Sequence, residues 1–122
     1  MDNMLVGTVT AIGENAISKK DPMIILFGEQ ATEEIRTVAI IQSFEQDKET
    51  VKLQSGDTIS FDEQVYTIET VGSLANENLN TIGHITLSFS EVPEDDRIES
   101  GIYLSPHELP EVSVGTKISY NN

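Results

Sequence analysis

Apolar and polar residues alternate along much of this chain with a period of two. That period marks half-buried strands, because successive side chains of a strand point to opposite faces. Met4–Ile12 opens the series, with Val6, Thr8, Thr10 and Ile12 on one face. Met23–Phe27 is apolar throughout, the pattern of a strand covered on both faces. Arg36–Ile41 is rich in β-branched residues and reads as a further strand. Glu49–Leu53 and Thr58–Phe61 read as short strands around the turn signal Ser55-Gly56-Asp57. Val65–Val71 carries the clearest alternation, with Tyr66, Ile68 and Thr70 on one side. His84–Phe89, Gly101–Leu104 and Lys117–Tyr120 complete the set. Short strands separated by turn residues predict an all-β barrel or sandwich. No internal repeat or low-complexity tract divides the chain, so residues 1–122 read as one domain.

One segment departs from the period of two. Ala75, Leu79 and Ile82 fall at i, i+4 and i+7, one apolar stripe of a short helix over about Ser73–Ile82. Ser73 is placed as its N-cap, and Gly83 stands where a left-handed residue ends a helix. Asn76, Asn78 and Asn80 are weak helix formers, so packing on the sheet must hold this helix. Gly13–Pro22 and Glu91–Ser100 read as loops. The second carries Glu91, Glu94, Asp95, Asp96 and Glu99 around Pro93. Its spacing fits no EF-hand and lacks that loop's central glycine, so it reads as a solvated acidic loop.

Charge narrows the set of partners. The chain has 21 acidic and 7 basic residues among 122, a net charge of −14. Such a surface repels phosphate backbones and anionic lipid, which argues against nucleic-acid and membrane-surface binding. It keeps the protein soluble and would steer in a basic protein partner. No apolar run approaches the roughly 20 residues that span a bilayer. Met1-Asp2-Asn3-Met4 has neither the basic start nor the apolar stretch of a secretory leader, so the expectation is cytoplasmic. Cysteine is absent, which removes disulfides, thiolate catalysis and cysteine metal sites together.

The chemistry therefore turns to histidine. In His84–Phe89 the alternation sends Ile85, Leu87 and Phe89 inward and leaves His84, Thr86 and Ser88 on the more polar face. His84 also follows the C-terminal end of the helix, where the dipole attracts positive charge. A histidine so placed can hold a phosphoryl group, donate a proton or bind an anion; equally, it can simply close the helix by a hydrogen bond. His107, in Ser105-Pro106-His107-Glu108-Leu109-Pro110, reads as an exposed loop residue with no special role. Two histidines without a third ligand make no metal motif. No phosphate-binding glycine loop, nucleophile elbow or zinc-protease pattern occurs, so neither a metal nor another cofactor is expected.

Val71-Gly72-Ser73-x-Ala75-x-x-Asn78-Leu79-x-x-x-Gly83-His84-x-Thr86-Leu87-x-Phe89 resembles the glucitol/sorbitol-specific IIA component of the bacterial phosphotransferase system. The resemblance extends to Gly56 followed by Tyr66-Thr67-Ile68, and to Thr8-Val9-Thr10-Ala11-Ile12-Gly13 near the start. It also reaches Gly101-Ile102-Tyr103-Leu104 and Gly115-Thr116-Lys117-Ile118. It implies an all-β fold, a small closed or partly closed β-barrel with the one short helix. It also implies two protein partners: the histidine phosphocarrier protein, which donates a phosphoryl group, and a IIB component, which receives it during sugar uptake. Docking to a membrane permease complex would follow without insertion into the bilayer.

The resemblance departs at one position. The family's phosphorylated histidine follows an apolar strand before the glycine turn. Matched here, that strand is Thr37-Val38-Ala39-Ile40-Ile41, and the histidine position falls on Gln42. No histidine occurs anywhere between Met1 and Gly83. An amide nitrogen has a delocalised lone pair and is no useful nucleophile. His84, in family terms a supporting residue beside the acceptor, then becomes the candidate acceptor. The alternative is a degenerate IIA-like module of regulatory or binding class that no longer carries phosphate.

Overall fold

A computed structural model of the chain describes residues 4–17, 22–44, 52–94 and 98–121. Eight strands among them close into a barrel: β1 (Met4–Ile12), β2 (Met23–Phe27), β3 (Ile40–Phe44), β4 (Thr58–Phe61), β5 (Gln64–Val71), β6 (Ile85–Ser88), β7 (Gly101–Ser105) and β8 (Lys117–Asn121). Around the ring the order is β1-β3-β2-β6-β7-β5-β4-β8. An eight-stranded barrel is just wide enough to be filled by its own side chains. Leu5, Val9, Ile24, Leu26, Ile40, Ile59, Phe61, Ile68, Leu87, Leu104 and Ile118 fill this one. Tyr66 stands edge-on to both Phe61 and Phe89, with ring centroids 5.7 and 5.0 Å away.

Two of the ring's neighbour pairs are parallel, β2 with β3 and β6 with β7. A parallel pair cannot be joined by a tight hairpin. Between β2 and β3 the crossover is a helix, α1 (Glu33–Val38). This corrects the reading of Arg36–Ile41 as a strand and of one helix in the chain. Thr32 caps α1, its hydroxyl accepting from the Ile35 amide at 3.3 Å, and Glu33 and Glu34 occupy the first turn. The β-branched Thr37 and Val38 tolerate this last turn because they face solvent. The chain is extended again at Ala39, and β3 begins at Ile40. α1 packs against β1, and beside it on the outer face of the barrel Ala31, Ala39 and Ile41 are buried with Ala11, Ile25, Phe27 and Ile35 packed on them. Met23–Phe27 is thus apolar on both faces because the inner face is buried and the outer one partly covered.

The second helix, α2 (Ala75–Ile82), buries Ala75 and Leu79 as the stripe predicts. It begins two residues later than Ser73. Leu74 occupies the cap, and no side chain caps the first turn. Of the segment Glu49–Leu53, residues 49–51 lie outside the described residues, and Lys52 and Leu53 are not in a strand. Leu53 is instead held by Asn76 of α2. Its amide donates to Asn76 Oδ1 at 2.7 Å, and its carbonyl accepts from Nδ2 at 3.0 Å. In β1 it is Leu5, Gly7 and Val9 that turn inward, so Val6, Thr8 and Thr10 form the outer face. A register shift between Val9 and Ala11 follows. Another, between Ile68 and Thr70, separates Thr70 from the buried Tyr66 and Ile68.

Candidate functional site

β3 alternates across the barrel wall. Ile41 turns outward beneath α1, while Ile40 and Gln42 turn in. Gln42 is fully buried. An amide in that position must find partners for both its ends, since a lone buried polar group costs about 1–3 kcal/mol. It finds two. Its Nε2 donates to the carbonyl of Gly83 at 2.9 Å, and its Oε1 accepts from the Tyr120 hydroxyl at 2.6 Å. Because a carbonyl can only accept, the orientation of the amide is fixed by chemistry. Tyr120, on β8, is fully buried too, and burial pushes its phenol far above the ordinary range; the bond to Gln42 offsets only part of this. The phenol is therefore a neutral, permanent donor. Room for the amide comes from β1. A Cβ on Gly7 would lie 2.7 Å from Gln42 Oε1 and 3.1 Å from Phe44 Cε1.

Gly83 ends α2 in the left-handed conformation, φ +67°, as its place in the sequence predicts. Its own amide and that of His84 both close on the carbonyl of Asn78. Nearby, the amide of Gly28 donates to the carbonyl of Ile82 at 3.1 Å, tying the end of β2 to the end of α2.

His84 comes next, partly exposed on the outer face of the barrel. Its ring lies against Phe27, centroids 4.6 Å apart. Its Nδ1 is 3.1 Å from the carbonyl oxygen of Leu26. That oxygen only accepts, so Nδ1 carries the proton of the neutral ring, and the lone pair is left on Nε2. Gln42 and His84, matched separately in the sequence, thus meet at one end of the barrel. Gln42 is inside, His84 is outside, and Gly83 lies between them. Beside this site, Ser43 donates to Glu29 Oε1 at 2.6 Å, and Arg36 donates to the carbonyls of Glu29 and Ala31, bracing the loop from β2 to α1.

His107 is elsewhere. It follows β7, and its Nε2 lies 2.7 Å from Glu69 Oε1 of β5, the strand across the ring from β3. Both partners are about a third exposed, so this is a surface contact of small energy. Among the described residues no group of His, Asp and Glu is arranged to hold a metal ion, and no helix is long and apolar enough to cross a membrane. Sequence reasoning missed Gly7, Tyr120 and the Leu26 carbonyl. Tyr120 reads only as the last residue of the strand Lys117–Tyr120, and nothing local announces that its hydroxyl meets a residue 78 positions away.

Three comparisons bear on this arrangement. The family model described as the PTS system glucitol/sorbitol-specific IIA component matches residues 4–119. The PTS system glucitol/sorbitol-specific EIIA component of Escherichia coli (strain K12) is 34% identical over 88 residues, which cover 71% of this chain and 70% of that protein. Its counterpart in Shigella flexneri is 33% identical over the same length. The crystal structure of a PTS system IIA component from Enterococcus faecalis V583 is similar with a TM-score of 0.89 and 47% identity. The match covers 94% of this chain and 98% of that one.

Proposed function

Because the chain belongs to the glucitol/sorbitol-specific IIA component family of the phosphotransferase system, we propose that it relays phosphoryl groups through His84. The donor is the phosphorylated histidine carrier protein, and the recipient is a IIB component. The observation that carries this reading is the hydrogen bond from His84 Nδ1 to the Leu26 carbonyl. It fixes the tautomer in which Nε2 holds the lone pair, on a partly exposed ring braced by Phe27.

In the transfer, the Nε2 lone pair attacks phosphorus as the nitrogen–phosphorus bond of the donor breaks. The electron pair of that bond returns to the donor's imidazole. The Nδ1 proton stays in place. The ring becomes positive as the new bond forms, and the Leu26 carbonyl, already aimed at Nδ1–H, stabilises that charge. The second transfer reverses these steps toward the IIB component. Positioning and charge stabilisation supply most of the catalysis in such a reaction, and the donor protein supplies the phosphoryl group. The relay is cytoplasmic in this reading, with the chain docking to a permease complex rather than entering the bilayer.

The test is direct. The protein is mixed with phosphorylated carrier protein, and acid-labile phosphate is mapped by mass spectrometry. Label on His84, abolished in His84→Ala, is expected. No label under conditions that label an active sorbitol IIA component would overturn the proposal. That outcome would leave the binding-module alternative, favoured by Gln42 at the family's acceptor position.

A further inference from the structure

We infer that Gln42 is a positioning residue for His84, holding from inside the barrel the peptide that carries the imidazole outside it. The inference rests on the reading of His84 as the phosphoryl acceptor and deepens it.

A peptide unit is rigid and planar, so fixing both of its polar groups fixes the direction in which the next side chain leaves. The unit joining Gly83 to His84 is fixed in this way. Its carbonyl oxygen accepts from Gln42 Nε2 at 2.9 Å, and its N–H donates to the Asn78 carbonyl at 3.2 Å. Gly83 is a position where the backbone needs this restraint, because glycine at φ +67° has the widest conformational freedom of any residue. The imidazole is then held at two further points, the Leu26 carbonyl and the Phe27 ring. Remove the Gln42 bond and the Gly83 carbonyl is the one unanchored edge of the unit.

The surroundings of Gln42 are built for this task. A side chain needed only for volume would be apolar, since Leu or Met fills the same space with no polar group to satisfy. Instead both ends of the amide are used. The Tyr120 hydroxyl holds Oε1, turning Nε2 toward Gly83, and Gly7 lacks the Cβ that would collide with Oε1. Among the described residues no buried side-chain polar atom lacks a partner, so nothing here has the loose ends of a decayed pocket. The strand pairing adds a second route. Ile40, two residues before Gln42 on the same strand face, pairs with Leu26, whose carbonyl holds His84 Nδ1.

The experiment uses the whole chain with Gln42→Met, which keeps the volume and removes the donor. Two readouts are taken on folded protein. One is the rate of His84 labelling by phosphorylated carrier. The other is the His84 ring tautomer from nitrogen-15 NMR, with His107 as internal control. The labelling rate is expected to fall about tenfold, the scale on which small misplacements act. The His84 signals should move from the Nδ1–H form toward an average of the two tautomers, while those of His107 stay put. A role in stability alone would move neither readout in molecules that remain folded.

If Gln42→Met does not fold, Tyr120→Phe replaces it. This variant frees the amide to turn, so the same shifts are expected at smaller size. Labelling rate and tautomer both unchanged in the folded variant overturn the inference. If the wild type takes no label, or His84→Ala still does, the function proposed above has failed. The tautomer readout then judges the positioning of His84 by itself, without the carrier.

Discussion

Replacing Gly7 with alanine sets two effects of opposite sign against each other. Gly7 lies in β1 and is not among the glycines with positive φ, so its backbone accepts an L side chain. Gly→Ala at such a position stabilises by about 0.4–1 kcal/mol through the unfolded chain. Against this, the new Cβ would stand 2.7 Å from Gln42 Oε1. The oxygen ends a flexible side chain and would ordinarily swing aside. Here it cannot do so without leaving the Tyr120 hydroxyl and turning Nε2 off the Gly83 carbonyl. The Tyr120 hydroxyl and the Gly83 carbonyl each lose a partner at about 1–3 kcal/mol, so the second effect wins and, less the entropic gain, the net loss is about 1–5 kcal/mol. For a domain of this size that lowers Tm by roughly 4–20 °C. Urea unfolding followed by circular dichroism measures it, with Gln42→Ala as the second arm of a double-mutant cycle. Once the amide is gone, the nearest atom of residue 42 is its Cβ, 3.5 Å from the new methyl and in ordinary contact. In that background only the 3.1 Å approach to Phe44 Cε1 remains, so Gly7→Ala should cost far less than in wild type, and should stabilise by up to about 0.4–1 kcal/mol where the Phe44 ring gives way. Stabilisation of the wild-type background as well would refute the reasoning, because it would mean the amide is free to move.

Alkaline pH probes the same cluster. Burial raises the phenol of Tyr120, and burial with the nearby Glu108 charge raises that of Tyr66, so both stay protonated in the folded state while the unfolded chain ionises near pH 10. Their contribution is complete below that pH and is lost as pH rises above it. Tyr120→Phe should therefore lose stability less steeply between pH 9 and 11 than wild type (about the range set by the reference tyrosine value); parallel profiles would contradict this. Asn76→Ala removes both hydrogen bonds to the Leu53 backbone. It should cost about 1–3 kcal/mol and speed hydrogen exchange at the Leu53 amide, and exchange at the wild-type rate would count against the clamp.

Much of the barrel was legible because strand pattern and burial coincide. The bounds read for Met4–Ile12, Met23–Phe27 and Thr58–Phe61 are those of β1, β2 and β4. Arg36–Ile41 misled because β-branched residues there serve a short helix and the strand after it in turn. The cap at Thr32 with Glu33 and Glu34 behind it was the competing signal, and it is the one the fold follows. Ser73 misled for the opposite reason: a good capping residue stands where the helix has not yet begun. At the site, Gly83 and His84 were legible from local spacing, and Gln42 from resemblance. That Gln42 is buried, and what it touches, was not. Its partners come from β8 and from the end of α2, and only closure of the ring brings them together.

That closure has a bearing on when the protein becomes competent. β8 follows every other strand in the chain, yet it sits between β1 and β4, pairing Leu5 with Tyr120 on one side and Ile59 with Tyr120 on the other. During synthesis β1 waits, its outer edge unpaired, until nearly all of the domain has been made. Long-range pairings of this kind form late, after the entropy of closing the intervening chain has been overcome. Tyr120 is the residue that braces Gln42, so the inner support of His84 is among the last contacts to be completed. Until β8 arrives, Gln42 lacks its Tyr120 partner, which would tie a firmly held histidine, and with it readiness for transfer, to the pairing of β8.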